Sequence, residues 1–283
     1  MLRHFLPGLL ILGLAHGEPL ALRIVAANLT SDNKQSYSPN NGNSSNPEGA
    51  GARILKALKP DIVMIQEFNT TVPVRQWINE TLGEEYVFMR EEGLQIPNGI
   101  ISRFPIIESG SWDDPVLNNR EFAWARLHLT DKKDLWVVSV HLHSKGETSR
   151  ASQAAALAGF IAKNVPEGAL LVIGGDFNTR TVNEKAFKDF LPIVVIPNSP
   201  PTDSHGVIFT NAPRNRPYDW VLASASLDQS AVPVRLADLE FPHGLVFDSR
   251  VFEPLDKVPP VRKDDSGMPN MQHMAVVRDF KIP

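Results

Sequence analysis

The chain contains no cysteine among its 283 residues. That excludes disulfide bonds, a thiolate nucleophile, a cysteine-ligated zinc and a lipidated cysteine, so the protein has to be stable by packing alone. A basic excess is missing too: 28 Lys and Arg face 32 Asp and Glu, a formal charge of −4. Proteins that grip long stretches of phosphate backbone are normally basic, so tight nucleic-acid binding is disfavoured, although a brief catalytic encounter is not. There is no basic stripe interleaved with aromatics, the pattern that suits single-stranded nucleic acid. Neither an internal repeat nor a dividing linker is visible. The longest apolar run, Phe5–Leu14 in "MLRHFLPGLLILGLAHG", is too short to cross a bilayer. With Arg3 before it and small Ala15 and Gly17 after it, it has the form of a secretory leader. We expect residues 1–17 to be a cleaved signal peptide, 18–283 to form the domain, and the protein to be exported to the periplasm or outside the cell. A retained N-terminal anchor is the alternative. Loss of the leader removes Arg3 and no acid, taking the charge from −4 to −5.

The remaining chain is ordinary in composition: 42% hydrophobic residues can build a core, and 23 prolines with 18 glycines imply many loops. "LALRIVAAN" reads as a buried strand ending at Asn28, followed by an Asn/Ser/Pro/Gly-rich loop, "SDNKQSYSPNNGNSSNPEG". "PEGAGARILKALKP" predicts a short helix with proline at its start, stopped by Pro60. "DIVMIQE" is apolar on both faces, as a central strand would be, and "TVPVRQWINETLG" is a second helix. Three strand-like runs follow, "NGIISRFPII", "EFAWARLHL" and "DLWVVSVHLHS". In "SRASQAAALAGFIAKNV" the apolar residues at 151, 154, 155, 158, 161, 162 and 165 predict one face of an amphipathic helix. "ALLVIGGDFN" is a strand, "NEKAFKDFL" a helix, and "RPYDWVLAS" and "MAVVRDF" the last strands. Helices interleave with strands early and strand follows strand in the middle, an order that two packed sheets with outer helices accommodate.

Polar residues recur where these strands end: Asn28, Glu67, His141, Asp176, Asn178, Asp219 and His273. A rigid scaffold presents a catalytic floor in this way. Glu67 follows an apolar run, where a carboxylate is costly unless paired or bound to a cation. In "GGDFN" two glycines would let the backbone turn tightly and approach a ligand. Asp176 would then orient a water while Asn178 donates to developing negative charge. His141 and His143 stand two apart, a zinc-pair spacing, but no third histidine follows nearby and no acid sits in "LHSK". A single imidazole donating to a phosphate is the better reading. Asp219 and His273 suit an aspartate that fixes a histidine's tautomer. Arg150, Arg214 and Arg216 are either phosphate grips or a solvated face.

Taken in order, "AAN", "KPDIVMIQE", "NGIISRFPI", "VVSVHLHS", "VIGGDFN", "YDWVL" and "QHMAV" resemble the endonuclease/exonuclease/phosphatase superfamily, the deoxyribonuclease-I-like phosphoesterases, along nearly the whole mature chain. The resemblance implies an α+β four-layer sandwich, two mixed β-sheets packed face to face and flanked by helices. It also implies a Mg²⁺-dependent phosphodiesterase or nuclease in which Mn²⁺ can substitute. Glu67 and Asn28 would lie at the metal. Asp176 would activate water and Asn178 would stabilise the transition state. His141 and His273 would contact the phosphate, with Asp219 orienting His273. The substrate would be a phosphoester (nucleic acid, lipid headgroup or small phosphodiester), and the protein a monomer without a stable protein partner. Family members carry Ser-Asp-His before the last strand, and this chain has Met271-Gln272-His273. Gln272 would then bring an amide oxygen, without charge, to the metal. That departure sets the alternative expectation, a weakened member that binds phosphoesters without cleaving them.

Overall fold

Strands buried on both faces oblige this chain to build layers. The computed structural model describes residues 18–29, 49–70, 72–269 and 271–283. The expected signal peptide and nearly all of the Asn/Ser-rich loop lie outside them. The chain runs through β1 (Leu20–Ala27), α1 (Ala50–Leu58), β2 (Ile62–Ile65), α2 (Val74–Thr81), β3 (Val87–Arg90), β4 (Gly99–Ser102), β5 (Ile106–Trp112), β6 (Phe122–Thr130) and β7 (Lys133–His141). It continues through α3 (Glu147–Asn164), β8 (Leu170–Asp176), α4 (Lys185–Phe190), β9 (Asp219–Ala223) and α5 (Ala225–Asp228). The short strands β10 (Ala231–Val232), β11 (Val234–Leu236), β12 (Leu239–Phe241) and β13 (Leu245–Phe247) precede the closing β14 (Ala275–Ile282).

One sheet has the order β10-β14-β1-β2-β4-β3, with β13 also on β14, and the other the order β5-β6-β7-β8-β9. Both are mixed. β1 is parallel to β2 and antiparallel to β14, and β8 is parallel to β7 and antiparallel to β9. Leu22, Ile24, Ile62 and Met64 of the first sheet meet Ala125, Val137, Val172 and Val221 of the second in the core between them. The opposite face of the first sheet, through Val25, Val63 and Ile65, packs on α1 and α2. That of the second, through Val138, Val140 and Ile173, packs on α3 and α4. This is the four-layer sandwich expected from the sequence.

Several local readings change. "NGIISRFPII" is not one strand: β4 belongs to the first sheet and β5 to the second, and the chain crosses between them at Arg103–Pro105. Proline at 105 breaks the run where the crossing is needed. α1 begins at Ala50, after Gly49, and ends where Lys59 turns left-handed (φ 50°) before Pro60. α3 is rotated from its predicted face: Ala155 and Ala162 are exposed, while Arg150, Gln153 and Leu157 are buried with Ala151, Ala154 and Ile161. Alanine constrains a helix face weakly because it buries so little area, and one leucine outweighs two alanines. Among the described residues no helix is long and apolar enough to cross a membrane.

Candidate active site

Strand register assembles the site. His141 pairs with Asp176 across β7–β8, and Asp176 pairs with Asp219 across β8–β9, so three chemistry-bearing residues share one line at the sheet end. The first sheet brings Asn28 just beyond β1 and Glu67 just beyond β2, whose ends are themselves in register at Ala27 and Ile65. His273 arrives immediately before β14, bridged to Asn211. All of these side chains are buried, and Glu67, His141, Asp176 and His273 line a cleft of about 560 Å³ whose walls also include Ile96, Leu117, Lys145, Tyr218 and Gln272.

Two glycines of β8 make this convergence possible, in a role different from the one expected. Gly174 and Gly175 lie inside the strand, not in a ligand-facing turn. A Cβ on Gly174 would collide with Met64 of the facing sheet, and one on Gly175 (φ 130°) with the Val140 carbonyl and the Gln66 amide. The glycines let the two sheets approach, and Asp176 is delivered by that approach.

Asp176 is the hub. Its Oδ2 accepts Asn28 Nδ2 at 3.0 Å and Asn178 Nδ2 at 3.0 Å, with His141 Nε2 at 3.2 Å and His273 Nε2 at 3.6 Å. Its Oδ1 accepts the Asn178 backbone N–H at 2.8 Å. Burial pushes this carboxyl up to about 6, while charged His273 and the Asn178 and Asn28 hydrogen bonds draw it back. His273 leans the other way. Although burial favours the neutral ring, the Asp219 and Asp176 carboxylates outweigh it and raise His273 to about 9. Its Nδ1 lies 2.8 Å from Asp219 Oδ2, and the Thr210 hydroxyl donates to that same oxygen at 2.7 Å. His141 is held well below its ordinary value by burial, by Arg120 and by charged His273, so it stays neutral, and its Nδ1 accepts no hydrogen bond. One acid therefore lies between a neutral imidazole and a charged one.

The oxygen atoms at the other side of Asp176 suit a hard cation. Glu67 is 4% exposed with an unusual φ of 48°, and its Oε1 lies 3.4 Å from Asn28 Nδ2. Asn28 Oδ1 is fully buried and accepts no hydrogen bond. A buried carboxylate beside an unsatisfied amide oxygen is a fitting donor set for an oxygen-seeking divalent ion. Asp176, Asp219 and His273 also bring ligand atoms within 4.8 Å of one another. There the charged imidazole lies between the two carboxylates and offsets one of their two charges.

Not every sequence candidate joins this centre. Gln272 lines the same cleft as Glu67 but is exposed at its rim, and its backbone carbonyl accepts the Ala212 N–H at 2.7 Å. His143 lies beyond the end of β7, and its Nδ1 accepts the Lys145 N–H at 3.0 Å, so it forms no metal pair with His141. Arg150 is buried in a two-pronged pair with Glu184, at 2.7 and 2.6 Å, and grips no phosphate. Arg214 is consumed by Asp203 and Asp248. Reading the sequence missed Thr210, Tyr218 and Arg120. Tyr218 sets its ring 5.6 Å from that of His273. The one available signal was Arg120 in "NNREF", a charge two residues before a buried strand.

Residues 41–236, more than half of the chain, match the model of the Endonuclease/Exonuclease/phosphatase family. The chain belongs to this family. The match includes Glu67, His141, Asp176, Asn178 and Asp219, and the fold adds Asn28 and His273 from outside it. Among solved structures, an endonuclease/exonuclease/phosphatase from Bacteroides vulgatus shares the fold at 14% identity and TM-score 0.61, over 93% of this chain and 100% of that one. Truncated TDP2 from Caenorhabditis elegans does so at 16% identity and TM-score 0.57, over 92% and 97%. Beta toxin from Staphylococcus aureus does so at 15% identity and TM-score 0.54, over 91% and 99%. No curated protein matches the sequence closely enough to be compared. Family and fold together place the chain among divalent-metal-dependent hydrolases of phosphoesters.

Proposed function

We propose that this protein is an exported phosphodiesterase that uses Mg²⁺, with Mn²⁺ able to replace it, and cleaves its substrate by in-line attack of water. The observation that carries the reading is Asp176, one buried carboxylate flanked by a neutral and a charged imidazole at the base of an open cleft. Glu67 and the Asn28 amide oxygen would hold the metal, which when bound neutralises phosphate charge and polarises the ester. Above about pH 6 ionised Asp176 accepts the proton of the attacking water at a carboxylate oxygen. His273, charged and fixed by Asp219, and His141 Nε2–H present donors to the phosphate oxygens, where charge builds in the transition state. Asn178, its φ of 51° allowing the sharp exit from β8, holds Asp176 in place through its backbone N–H and its side-chain amide.

The deciding experiment is hydrolysis of bis(p-nitrophenyl) phosphate by the purified protein across Mg²⁺ and Mn²⁺ titrations, beside Asp176→Asn. Metal-dependent turnover that falls by about 10²-fold or more in the variant supports the reading. Turnover indifferent to metal or to Asp176 defeats it. The leader is checked separately by N-terminal sequencing of protein recovered from the exported fraction, with a start near Glu18 expected.

A further inference from the structure

Arg120 stands just before β6, 5% exposed, and turns its guanidinium toward the backbone at the end of β7. Its Nε donates to the His141 carbonyl at 2.6 Å, its Nη2 to the Leu142 carbonyl at 3.2 Å and its Nη1 to Asn119 Oδ1 at 3.3 Å. The Leu142 carbonyl also accepts Asn178 Nδ2 at 3.0 Å, so one oxygen joins Arg120 to the Asp176 loop. The backbone on either side of Arg120 is tied down. The Asn119 carbonyl accepts the Ile96 N–H at 3.1 Å, and the Glu121 N–H donates at 3.2 Å to the buried carboxylate of Glu91. A guanidinium is a rigid planar fork. Closed on two consecutive carbonyls, it sets the direction in which the chain, and the His141 side chain with it, leaves the sheet.

We infer that Arg120 is a positioning residue: it fixes the end of β7 so that the His141 imidazole is held against Asp176, and it keeps a positive charge beside that ring. The groups facing the ring are Asp176 at the end of β8, His273 ahead of β14 and Arg120 ahead of β6. After burial, Arg120 is the strongest influence holding His141 neutral. The consequence is that the ring stays neutral, with Nε2–H a donor, where an ordinary histidine would already be charged, and there it does not compete as a second cation with His273 for Asp176. This inference rests on the phosphodiesterase reading for its kinetic consequence, but not for its structural one.

Two variants of the full chain, Arg120→Gln and Arg120→Lys, test it by NMR of the His141 ring nitrogens and by kinetics on bis(p-nitrophenyl) phosphate. In the wild type the His141 ring titrates well below an ordinary histidine, and in Arg120→Gln, where burial and charged His273 still act but the guanidinium charge is gone, its titration moves upward. With Arg120→Gln, kcat drops by about tenfold or more while KM changes little, and the acid limb of the kcat profile moves to higher pH. Arg120→Lys keeps the charge without the fork. It should leave the ring neutral, shift the resonance of its Nε2 proton and recover only part of kcat. Ring resonances and a pH profile identical to wild type in Arg120→Gln, with only stability reduced, would overturn the inference. If that variant does not fold, a wild-type Nε2 resonance and kcat in Arg120→Lys overturn it instead. Absence of wild-type turnover counts against the phosphodiesterase reading alone, because the NMR comparison still decides the position and charge of His141.

Discussion

His273 Nδ1 lies 2.8 Å from Asp219 Oδ2 although 54 residues separate the two in sequence. That pair sets the charge of the second imidazole. A histidine ordinarily near 6.5 is raised to about 9 here, so the folded protein binds this proton more tightly than the unfolded chain does. The resulting stabilisation is complete below about pH 6.5 and is lost as pH rises through about 9, of the order of 3 kcal/mol in all. Urea midpoints of metal-free protein should therefore fall between these limits. In Asp219→Asn the fall should be clearly shallower, because only Asp176 and Glu67 remain to hold the proton. The same variant should lose about 10²-fold or more in kcat.

Glu67 is the one carboxylate in the oxygen set proposed for the metal. Glu67→Gln preserves size and one acceptor while removing the charge, so the fold should survive. The metal concentration for half-maximal activity should rise by about tenfold or more, in line with the loss of one charge from a hard-cation site. Calorimetric Mn²⁺ titration gives the same comparison without turnover. Equal metal affinity in the two proteins would remove Glu67 from the site.

Gly175→Ala tests the approach of the two sheets. A methyl group there meets the Val140 carbonyl and the Gln66 amide, at a φ of 130° that side chains rarely adopt. Destabilisation of at least about 2 kcal/mol is expected by urea unfolding. Activity should drop as well, because Asp176 is the next residue.

Arg150→Ala separates a structural arginine from a phosphate grip. It leaves Glu184 buried without its partner, a change that costs about 3–5 kcal/mol. The folded variant should retain the wild-type KM for phosphodiester substrates. A large rise in KM at unchanged stability would mean that the ion pair opens for substrate.

Layering was legible because strand and helix periodicities differ, and because "DIVMIQE" and "LLVIGG" are apolar on both faces. Polar residues at strand ends marked the site for the same reason: a buried strand tolerates Asn28, Glu67 or Asp176 only where it leaves the core. Other features were not legible. The break of "NGIISRFPII" into two strands of different sheets depends on which partner each half finds. The face of α3 depends on Leu157 and on the Arg150–Glu184 pair, made by residues 34 apart. Both are choices between arrangements of similar local energy, settled by packing partners distant in the chain.

By itself, then, the sequence determined the residue types, their order and the strand ends at which they stand, since burial and backbone propensity are local properties. Which of them meet was decided only by tertiary structure. Register placed His141, Asp176 and Asp219 in one line, and glycines at 174 and 175 let the sheets close enough for Asn28 to reach Asp176. The same packing removed Arg150 and Arg214 from the candidates by pairing them, left Gln272 on the rim, and brought Arg120 to the back of His141. Charge state followed from these encounters. Two histidines with the same intrinsic affinity for a proton became one neutral ring and one cation, because burial and neighbouring charges, unlike residue identity, are properties of three-dimensional position.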